Sequence, residues 1–371
     1  MSNERSVSLY AVGDIALGDH PLTVGHGVAS KLKEHGPLYP FEYARHHFRN
    51  ADIVFGNLEY AMFKLKKSGT LSTLQTRGEE CCVKGLKWAG FNVLNLANNH
   101  IQQHGKNALI NTINLLGKNC ISSCGISSKG SKYYSQPTTI EKNSICLGFL
   151  GYSLRPRQYF KDKPLYCEGN KKIIISDVTQ LKKDVNHVIV SLHWGDEFID
   201  HPSPSEIRLA HDIIDAGASI ILGHHPHVLR GIEHYNNSLI IYSMGNFVGD
   251  MLWENRMRQT MIVSININND RIGDTAIIPM YINDNYQPAP CPPQYERQIR
   301  RKIAKLSLEL EKIDIEPIDN NAKDYTVAVK KELLKNKLNS RIYFLRNIFN
   351  YSSPILIQQL KRFILSRLPI D

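Results

Sequence analysis

The sequence lacks any run of about 20 apolar residues, the length that a helix needs to cross a bilayer. Its first residues do not resemble a secretory signal, because the apolar run that starts at Val7 is short and is interrupted by Asp14. It has no Gly-x-x-x-x-Gly-Lys-Ser/Thr phosphate loop, and Gly245 is not part of a Gly-x-Ser-x-Gly elbow. An ATP-driven ligase formed by this chain alone is therefore not expected.

The cysteine pattern does not indicate a disulfide framework. There are seven cysteines, an odd number, and Cys81 and Cys82 are adjacent while the others are scattered. The spacing from Cys120 to Cys124 offers half of a metal site, but two packed thiols are favoured. We therefore expect a reducing compartment, the cytoplasm, with a peripheral position at the inner membrane as the alternative.

The composition is that of an ordinary globular protein. Of the 371 residues, 42% are hydrophobic and 22% are charged, which suits one large domain or a domain with an appendage. The net charge is +10, and +7 of it comes from residues 291–371. A solvated helical face is the favoured interpretation, and a surface for an acidic polymer, an anionic membrane or an acidic partner is the alternative. No specific binding of nucleic acid is expected.

Short apolar runs alternate with helical patterns between residues 6 and 282, which predicts an α/β domain. Gly90 and Gly117 are predicted to end two helices, at 83–89 and 106–116. The proline-rich run 288–293 is predicted to interrupt all regular structure, so we place one domain at 1–287 and a basic helical extension at 288–371. Helices of the extension are predicted at 294–312, 323–338 and 341–350.

Three imidazoles stand within four residues, at His224, His225 and His227, directly after an apolar run. Imidazole is the commonest metal ligand in proteins. Pro226 disfavours a helix at His225, so an extended segment is predicted, in which residues two apart point the same way. We expect His225 and His227 to reach one small volume and His224 to point away from it.

Other polar residues also follow predicted strands. Ligand sites in open α/β sheets lie outside the carboxyl ends of strands. Taken singly, each residue is more simply a turn, a cap or a buried core histidine. Taken together they predict one cleft that offers nitrogen and oxygen ligands. The residues are Asp14, Asn57, Glu59, Asn99, His100, His193, His225 and His227.

Six motifs follow one another along the chain: Gly13–Gly18, Gly56–Glu59, Ala97–His100, His193–Glu197, Gly223–His227 and Tyr242–Phe247. In order and spacing, this set resembles the CapA family of capsule and poly-γ-glutamate synthesis proteins, within the calcineurin-like metallophosphoesterase superfamily. The resemblance covers about residues 6–280. It implies a four-layer α-β-β-α sandwich of the metallo-dependent phosphatase type, which in this chain carries a C-terminal helical extension.

The resemblance also implies two divalent metals at the carboxyl ends of the strands. A mixture of carboxylate, amide and imidazole ligands favours Mn, Fe or Zn. The residues implied are Asp14 and His227 for the first metal, and Asn99, His193 and His225 for the second.

The chain departs from the superfamily's pattern at three positions. Asn57 stands where a bridging aspartate is usual, so Glu59, two residues on, is the candidate for the negative charge. Ala16 stands where a histidine is usual, which leaves the first site poor in ligands and makes a single metal the alternative to two. Gln103 replaces a frequent aspartate, and whether His104 compensates is left open.

The implied chemistry is attack by a hydroxide, because a bound divalent ion lowers the pKa of its water towards neutrality. His100, next to the implied ligand Asn99, would protonate the leaving group, and its alternative role is to orient a ligand. Trp194, Glu197 and Asn246 are expected to contact the ligands, and Trp194 and Phe247 are expected to wall the cleft.

Three functions follow from this resemblance. The first is a metal-dependent, phosphoesterase-like hydrolase in capsule, surface-polysaccharide or poly-γ-glutamate synthesis, acting on an anionic or phosphorylated glycan or polymer intermediate. The second is a metal-dependent enzyme that cleaves or transfers an amide of an anionic polymer. The third is a non-catalytic subunit of a polymer synthase or exporter, bound to membrane proteins of capsule synthesis.

The last segment, 342–370, mixes apolar residues with Arg346, Lys361, Arg362 and Arg367. We predict that it packs on the domain, as most amphipathic helices do. The alternative is an amphipathic helix that seeks a membrane surface.

Overall fold

The computed structural model describes residues 5–65, 69–128, 130–161, 163–313 and 320–365. Within these residues the strands are β1 (Ser6–Ile15), β2 (Ile53–Leu58), β3 (Val93–Asn95), β4 (Ser122–Cys124), β5 (Thr138–Lys142), β6 (Ile145–Ser153), β7 (His187–His193), β8 (Ala218–His224), β9 (Ile232–Tyr235), β10 (Ser238–Ile241), β11 (Asn246–Val248), β12 (Gln259–Asn268), β13 (Ile272–Ile282) and β14 (Pro288–Pro290). The helices are α1 (Val28–His35), α2 (Leu71–Leu74), α3 (Cys82–Ala89), α4 (Lys106–Lys118), α5 (Lys171–Leu181), α6 (Pro204–Asp215), α7 (Pro293–Leu310), α8 (Asn320–Arg346) and α9 (Ser353–Leu365). Short 3-10 helices lie at Tyr39–Phe41, Arg45–Phe48, Asn255–Arg258 and Ile348–Asn350.

The strands form two sheets. The first has the order β14-β13-β12-β1-β2-β3-β4, and β11 also pairs with β1. The second has the order β5-β6-β7-β8-β10-β9. The central strands of each sheet are parallel, and antiparallel strands lie at both edges of the second sheet and at the β14 edge of the first. Parallel strands present their carboxyl ends at one edge of a sheet, and this arrangement positions the candidate site.

Three apolar clusters separate four layers. Side chains such as Phe55 of the first sheet and Phe149 of the second fill the space between the sheets, and their rings stack with centroids 5.8 Å apart. A second cluster lies between the first sheet and helices α1, α3 and α4. A third lies between the second sheet and helices α5 and α6. The predicted α-β-β-α sandwich is therefore confirmed.

Two of the predicted ends of elements are wrong. Strand β1 continues through Asp14 to Ile15, because it is paired there with β2 on one side and β11 on the other. Helix α4 continues through Gly117 to Lys118, and the chain turns at Cys120, whose φ is 55°. Gly90 does end α3 as predicted, with the left-handed φ of 105° that glycine adopts without strain.

The run Pro288–Pro293 does not interrupt regular structure, and that prediction is also wrong. Pro288, Ala289 and Pro290 pair with β13 at the edge of the first sheet, where a strand tolerates proline because one side needs no ladder donor. Helix α7 begins at Pro293, in the first turn, where proline is tolerated. The sheet thus crosses the boundary predicted at residue 287.

The predicted packing of the C-terminal segment is confirmed for its described part. Phe344, Tyr351 and Ile355 are buried against Val24 and Leu71. The two helices predicted at 323–338 and 341–350 are mostly one helix, α8, which is followed by a 3-10 turn. Arg367 and Ile370 lie outside the described residues. No helix in the described part of the chain combines the length and apolar character needed to cross a bilayer.

Candidate metal centre

The carboxyl-terminal ends of several strands meet at one edge of the sandwich, as predicted. Asp14 lies opposite Asn57 of β2 and Asn246 of β11 in parallel register. Strand β1 lies very close to the neighbouring turn. A Cβ at Gly13 would lie 1.9 Å from the carbonyl oxygen of Gly245. A side chain at position 13 would therefore push Asp14 out of the cluster.

The carboxylate of Asp14 is buried and surrounded by donors. Oδ1 accepts a hydrogen bond from Nδ2 of Asn57 at 2.8 Å, and Oδ2 accepts one from the backbone N–H of His225 at 3.1 Å. Nδ1 of His224 lies 3.4 Å from Oδ1. Burial acts to raise the pKa of Asp14, but the nearby imidazoles, His224 foremost, hold this pKa well below its usual range. The side chain is therefore an anion.

Asn57 supports Asp14. A carboxylate accepts hydrogen bonds and does not donate them, so the amide group that faces Asp14 must be the NH2. The oxygen Oδ1 of Asn57 then faces the other way, where it accepts from Nδ2 of Asn95 at 2.8 Å and from Nδ2 of Asn98 at 3.4 Å. Both ends of the amide are engaged with protein groups, so the ligand role of Asn57 stays a prediction and its observed contacts are those of a support.

His225 and His227 meet through a turn, so the predicted extended segment is wrong. Both residues have a positive φ, 95° for His225 and 59° for His227, a region that L-residues other than glycine and asparagine seldom adopt. The two rings nevertheless lie 5.6 Å apart, and the ring of His193 lies 4.7 Å from that of His225. Strained backbone of this kind is typical of functional sites.

Asn246 fixes the tautomer of His227. Its Nδ2 donates to the carbonyl oxygen of Met257 at 3.2 Å, so its oxygen must face the imidazole. That oxygen lies 2.8 Å from Nδ1 of His227, which therefore carries the proton. The lone pair of His227 is then on Nε2, 4.0 Å from Oε1 of Glu59.

His193 and Asn99, both implied as ligands, contact each other. Nε2 of His193 lies 2.9 Å from Oδ1 of Asn99, and Nδ1 lies 3.5 Å from Nδ2 of Asn57. A metal bound by both residues would take the place of the contact between them. Burial holds the pKa of His193 well below its usual value, so the imidazole is neutral, as a metal ligand must be.

Two groups of side chains have the spacing needed to hold a metal ion. Their ligand atoms lie within 4.8 Å of one another, and the groups are Asp14 with Glu59 and His227, and Glu197 with His225 and His227. Since His227 has a single free nitrogen, it belongs to one group at a time when an ion is bound. The sequence predicted Glu197 as a contact of the ligands, and the structure also places it within reach of an ion.

Unpartnered polar atoms show that the cluster suits a cation. Within the described residues, Oε1 of Glu59 and both ring nitrogens of His225 are buried without a hydrogen-bond partner. Such atoms are rare in folded proteins, because each gives up its hydration without return. Burial, and then the charge of Asp14, raises the pKa of Glu59 to about 8. A divalent ion would relieve both the missing contacts and this repulsion.

His100 lies beside the cluster and is held by the residue that replaces the usual aspartate. Its Nδ1 lies 2.9 Å from Oε1 of Gln103, and its ring lies 5.1 Å from that of Tyr159. His104 faces away, with Nε2 2.9 Å from the carbonyl oxygen of Gln75. Gln103, and not His104, therefore contacts the implied acid. Burial lowers the pKa of His100 to about 4.

The two aromatic residues expected at the cleft lie in the core. The ring of Trp194 stacks on that of Tyr242 at 5.8 Å, within the cluster beneath helices α5 and α6. Phe247 is buried among the aromatic residues behind the first sheet, with Phe91 6.5 Å away. Both rings are buried in these core clusters, so their predicted role as walls of the cleft is wrong.

Sequence reasoning missed three residues near the cluster. Burial, and then the charges of His100 and His227, lowers the pKa of His20 to about 3. Burial, and then the charges of His193, His227 and Arg155, holds the pKa of His225 well below its usual value, and Tyr159 lies beside His100. Arg155 and Tyr159 lie in the connection after β6, and His20 lies in the connection after β1. The sequence signal that these three residues share is their position after a strand. That signal does not distinguish them from the other polar residues of the same connections.

Comparison with known proteins identifies a family. A family described as "Bacterial capsule synthesis protein PGA_cap" matches residues 8–251, which include every side chain of the cluster. The capsule biosynthesis protein CapA of Bacillus anthracis is 28% identical over 346 residues, 89% of this chain and 81% of that protein. The PGA biosynthesis protein CapA of Bacillus subtilis (strain 168) is 32% identical over 285 residues, 75% of this chain and 72% of that protein.

Solved structures match more distantly. A 5'-nucleotidase from Candida albicans SC5314 is 12% identical, with a TM-score of 0.40, and the match covers 82% of this chain and 58% of that one. The family match and the relative at 32% identity together establish the family. The chain belongs to the PGA_cap family of bacterial capsule synthesis proteins.

Proposed function

We propose that the protein is a metal-dependent, phosphoesterase-like hydrolase that acts in the synthesis of a capsule, a surface polysaccharide or poly-γ-glutamate. The observation that carries the proposal is the buried cluster of Asp14, Glu59, His193, His225 and His227, in which several polar atoms lack a partner. One or two ions of Mn, Fe or Zn suit these ligands. When bound, such an ion would lower the pKa of a water molecule, so that hydroxide is available as the nucleophile near neutral pH.

The residues of the chain then have distinct tasks. Asp14 and His227 hold one side of the cluster, and Asn57 and Asn246 orient them through hydrogen bonds of 2.8 Å each. His100 transfers a proton to the leaving oxygen. Burial lowers the pKa of His100, so an anionic substrate, whose charge would stabilise the protonated ring, suits this role.

Hydrolysis of model esters tests the proposal. Full-length protein is stripped of metal, supplied with Mn²⁺, and assayed with a p-nitrophenyl phosphodiester and monoester. We expect turnover that falls at least about 100-fold in Glu59→Gln and in His193→Ala. An exposed residue such as Asp270 provides the control, Asp270→Asn, which should keep full activity. Release of amine from poly-γ-glutamate without ester turnover would instead support an amide-cleaving enzyme.

The position of Ala16 favours one other function. Its methyl side chain is buried where the superfamily usually has a histidine, so it removes one ligand from the first site. A non-catalytic subunit of a polymer synthase or exporter, in the cytoplasm or at the periphery of the inner membrane, would retain the metal only for its structure. Absence of turnover with Mn, Fe and Zn, combined with stable binding to membrane proteins of capsule synthesis, would support that function.

A further inference from the structure

Helix α8 has one face that packs on the domain. Oδ1 of Asn336 accepts a hydrogen bond of 2.7 Å from the indole N–H of Trp253. Glu332 pairs with Arg256, and Phe344 is buried against the residues that follow β1. These contacts orient the helix, because they all lie on one side of it.

The opposite side of α8 is apolar and exposed. Its residues recur at spacings of seven and four, so they form a single stripe along an α-helix. Leu334 is 69% exposed, and Phe349, in the turn that follows, is 97% exposed. We name this stripe the outer face; it consists of Val327, Leu334, Leu338, Leu345 and Phe349.

Positive charge flanks the outer face. Residues 325–362 contain eight Lys or Arg residues and one acidic residue, Glu332, which is already paired. The lysines at 330, 331 and 337 are exposed, and on a helical projection they lie on both sides of the stripe. An exposed apolar stripe between rows of cations is the pattern of helices that lie in the surface of an anionic bilayer.

We propose that the outer face of α8 binds the surface of an anionic membrane, with its apolar side chains among the acyl chains and its lysines at the lipid phosphates. Charge complementarity favours a lipid surface over a second copy of this chain, whose outer face carries the same positive charge. Helix α8 contacts Trp253, in the connection that follows β11 at the edge where the metal cluster lies. Docking would therefore hold that cluster close to the bilayer. Membrane binding here does not depend on the chemistry of the cluster.

Sedimentation with vesicles tests the proposal on the full-length protein. We expect binding to vesicles of phosphatidylcholine with phosphatidylglycerol, little binding to phosphatidylcholine alone, and a decrease as salt is raised. The double variant Leu334→Gln with Leu338→Gln should bind at least about tenfold more weakly, while its melting temperature stays unchanged because glutamine favours helices. The matched control is Ile110→Gln with Leu308→Gln, two exposed apolar residues on other helices, which should bind like the wild type.

A charge variant separates the two contributions. Lys330→Gln with Lys331→Gln should weaken binding to the anionic vesicles, whereas Lys87→Gln with Lys118→Gln, which removes the same charge elsewhere, should not. Equal binding by wild type and the leucine variant, or no binding of the wild type to anionic vesicles, would overturn the proposal. Concentration-dependent dimers that the leucine variant abolishes, in a protein that ignores vesicles, would identify the face as an interface between copies.

Discussion

Nδ2 of Asn57 lies 2.8 Å from Oδ1 of Asp14, so a neutral amide donates to the carboxylate of the metal cluster. At the position where the resemblance implies a bridging aspartate, this chain has a hydrogen-bond donor. Asp14 keeps its negative charge for a metal, and Glu59 is left as the second carboxylate. The relationship predicts how the cluster responds when the amide becomes an acid.

Asn57→Asp should destabilise the metal-free protein. It replaces a hydrogen bond with two buried carboxylates in contact, which costs about 3 kcal/mol. A divalent ion would screen the repulsion, so added Mn²⁺ should raise the melting temperature of the variant more than that of the wild type. Thermal unfolding in EDTA and in Mn²⁺ measures both effects. Equal stability of variant and wild type in EDTA would show that Asn57 does not support Asp14.

The variant His225→Gly should be more stable to unfolding than the variant His225→Ala. The φ of 95° is strained for any residue with a Cβ, so in EDTA His225→Gly should exceed His225→Ala by about 1 kcal/mol in free energy of unfolding. Denaturation by urea gives the difference. The same pair at Ser219, inside strand β8, should rank in the opposite order. Alanine above glycine at both positions would mean that the turn is unstrained in solution.

The sequence predicted the sheets and the residues of the cluster better than it predicted the backbone conformation of the turns that carry those residues. Apolar runs such as 53–55 are buried on both sides in parallel strands, and such runs can be recognised without a structure. The turn at His225 could not be predicted, because a positive φ at a histidine is set by contacts from other segments. One of these is the hydrogen bond from the N–H of His225 to Asp14.

The direction in which side chains point was the second feature that the sequence could not predict. Trp194 follows His193 directly, and neighbours in a strand point to opposite sides of the sheet. The strand could be predicted, but its register relative to the helices above it depends on packing between distant residues. The edge strand at Pro288 shows the same limit, since its partner β13 supplies the pairing that the local sequence disfavours.

Stability should fall as the pH rises towards neutrality, because of Asp19 and Asp250. Burial, with the charge of Asp250, raises the pKa of Asp19 from 3.8 to about 7, and burial raises that of Asp250 to about 6. The folded state holds protons that the unfolded chain releases near pH 4, so stability is full below about pH 4 and is lost towards pH 7. Asp250→Asn should reduce the loss between about pH 4 and pH 7 in EDTA. Asp270→Asn, at an exposed site, should not.

Arg230 should be among the costliest residues to remove. Its buried guanidinium donates to Oε1 of Glu206 at 2.6 Å and to the carbonyl oxygens of Ile199 and Asp196, on either side of Glu197. Arg230→Met should lower the free energy of unfolding by about 3 kcal/mol or more, because it removes the cation that pairs with Glu206 and the donor to Oε1 of Glu206 and to two carbonyl oxygens. Urea denaturation tests this. Adding Glu206→Gln should restore part of the loss, and a loss below about 1 kcal/mol would contradict the account.

The most direct test of the central claim is a Mn²⁺ titration of metal-free, full-length protein beside His225→Ala, followed by calorimetry. We expect the wild type to bind one or two ions and to release protons as it does so, because Glu59 must ionise. His225→Ala should remain folded and bind at least about tenfold more weakly. A wild type that binds no Mn, Fe or Zn, or a variant that binds as tightly as the wild type, would contradict the assignment of this cluster as a metal centre.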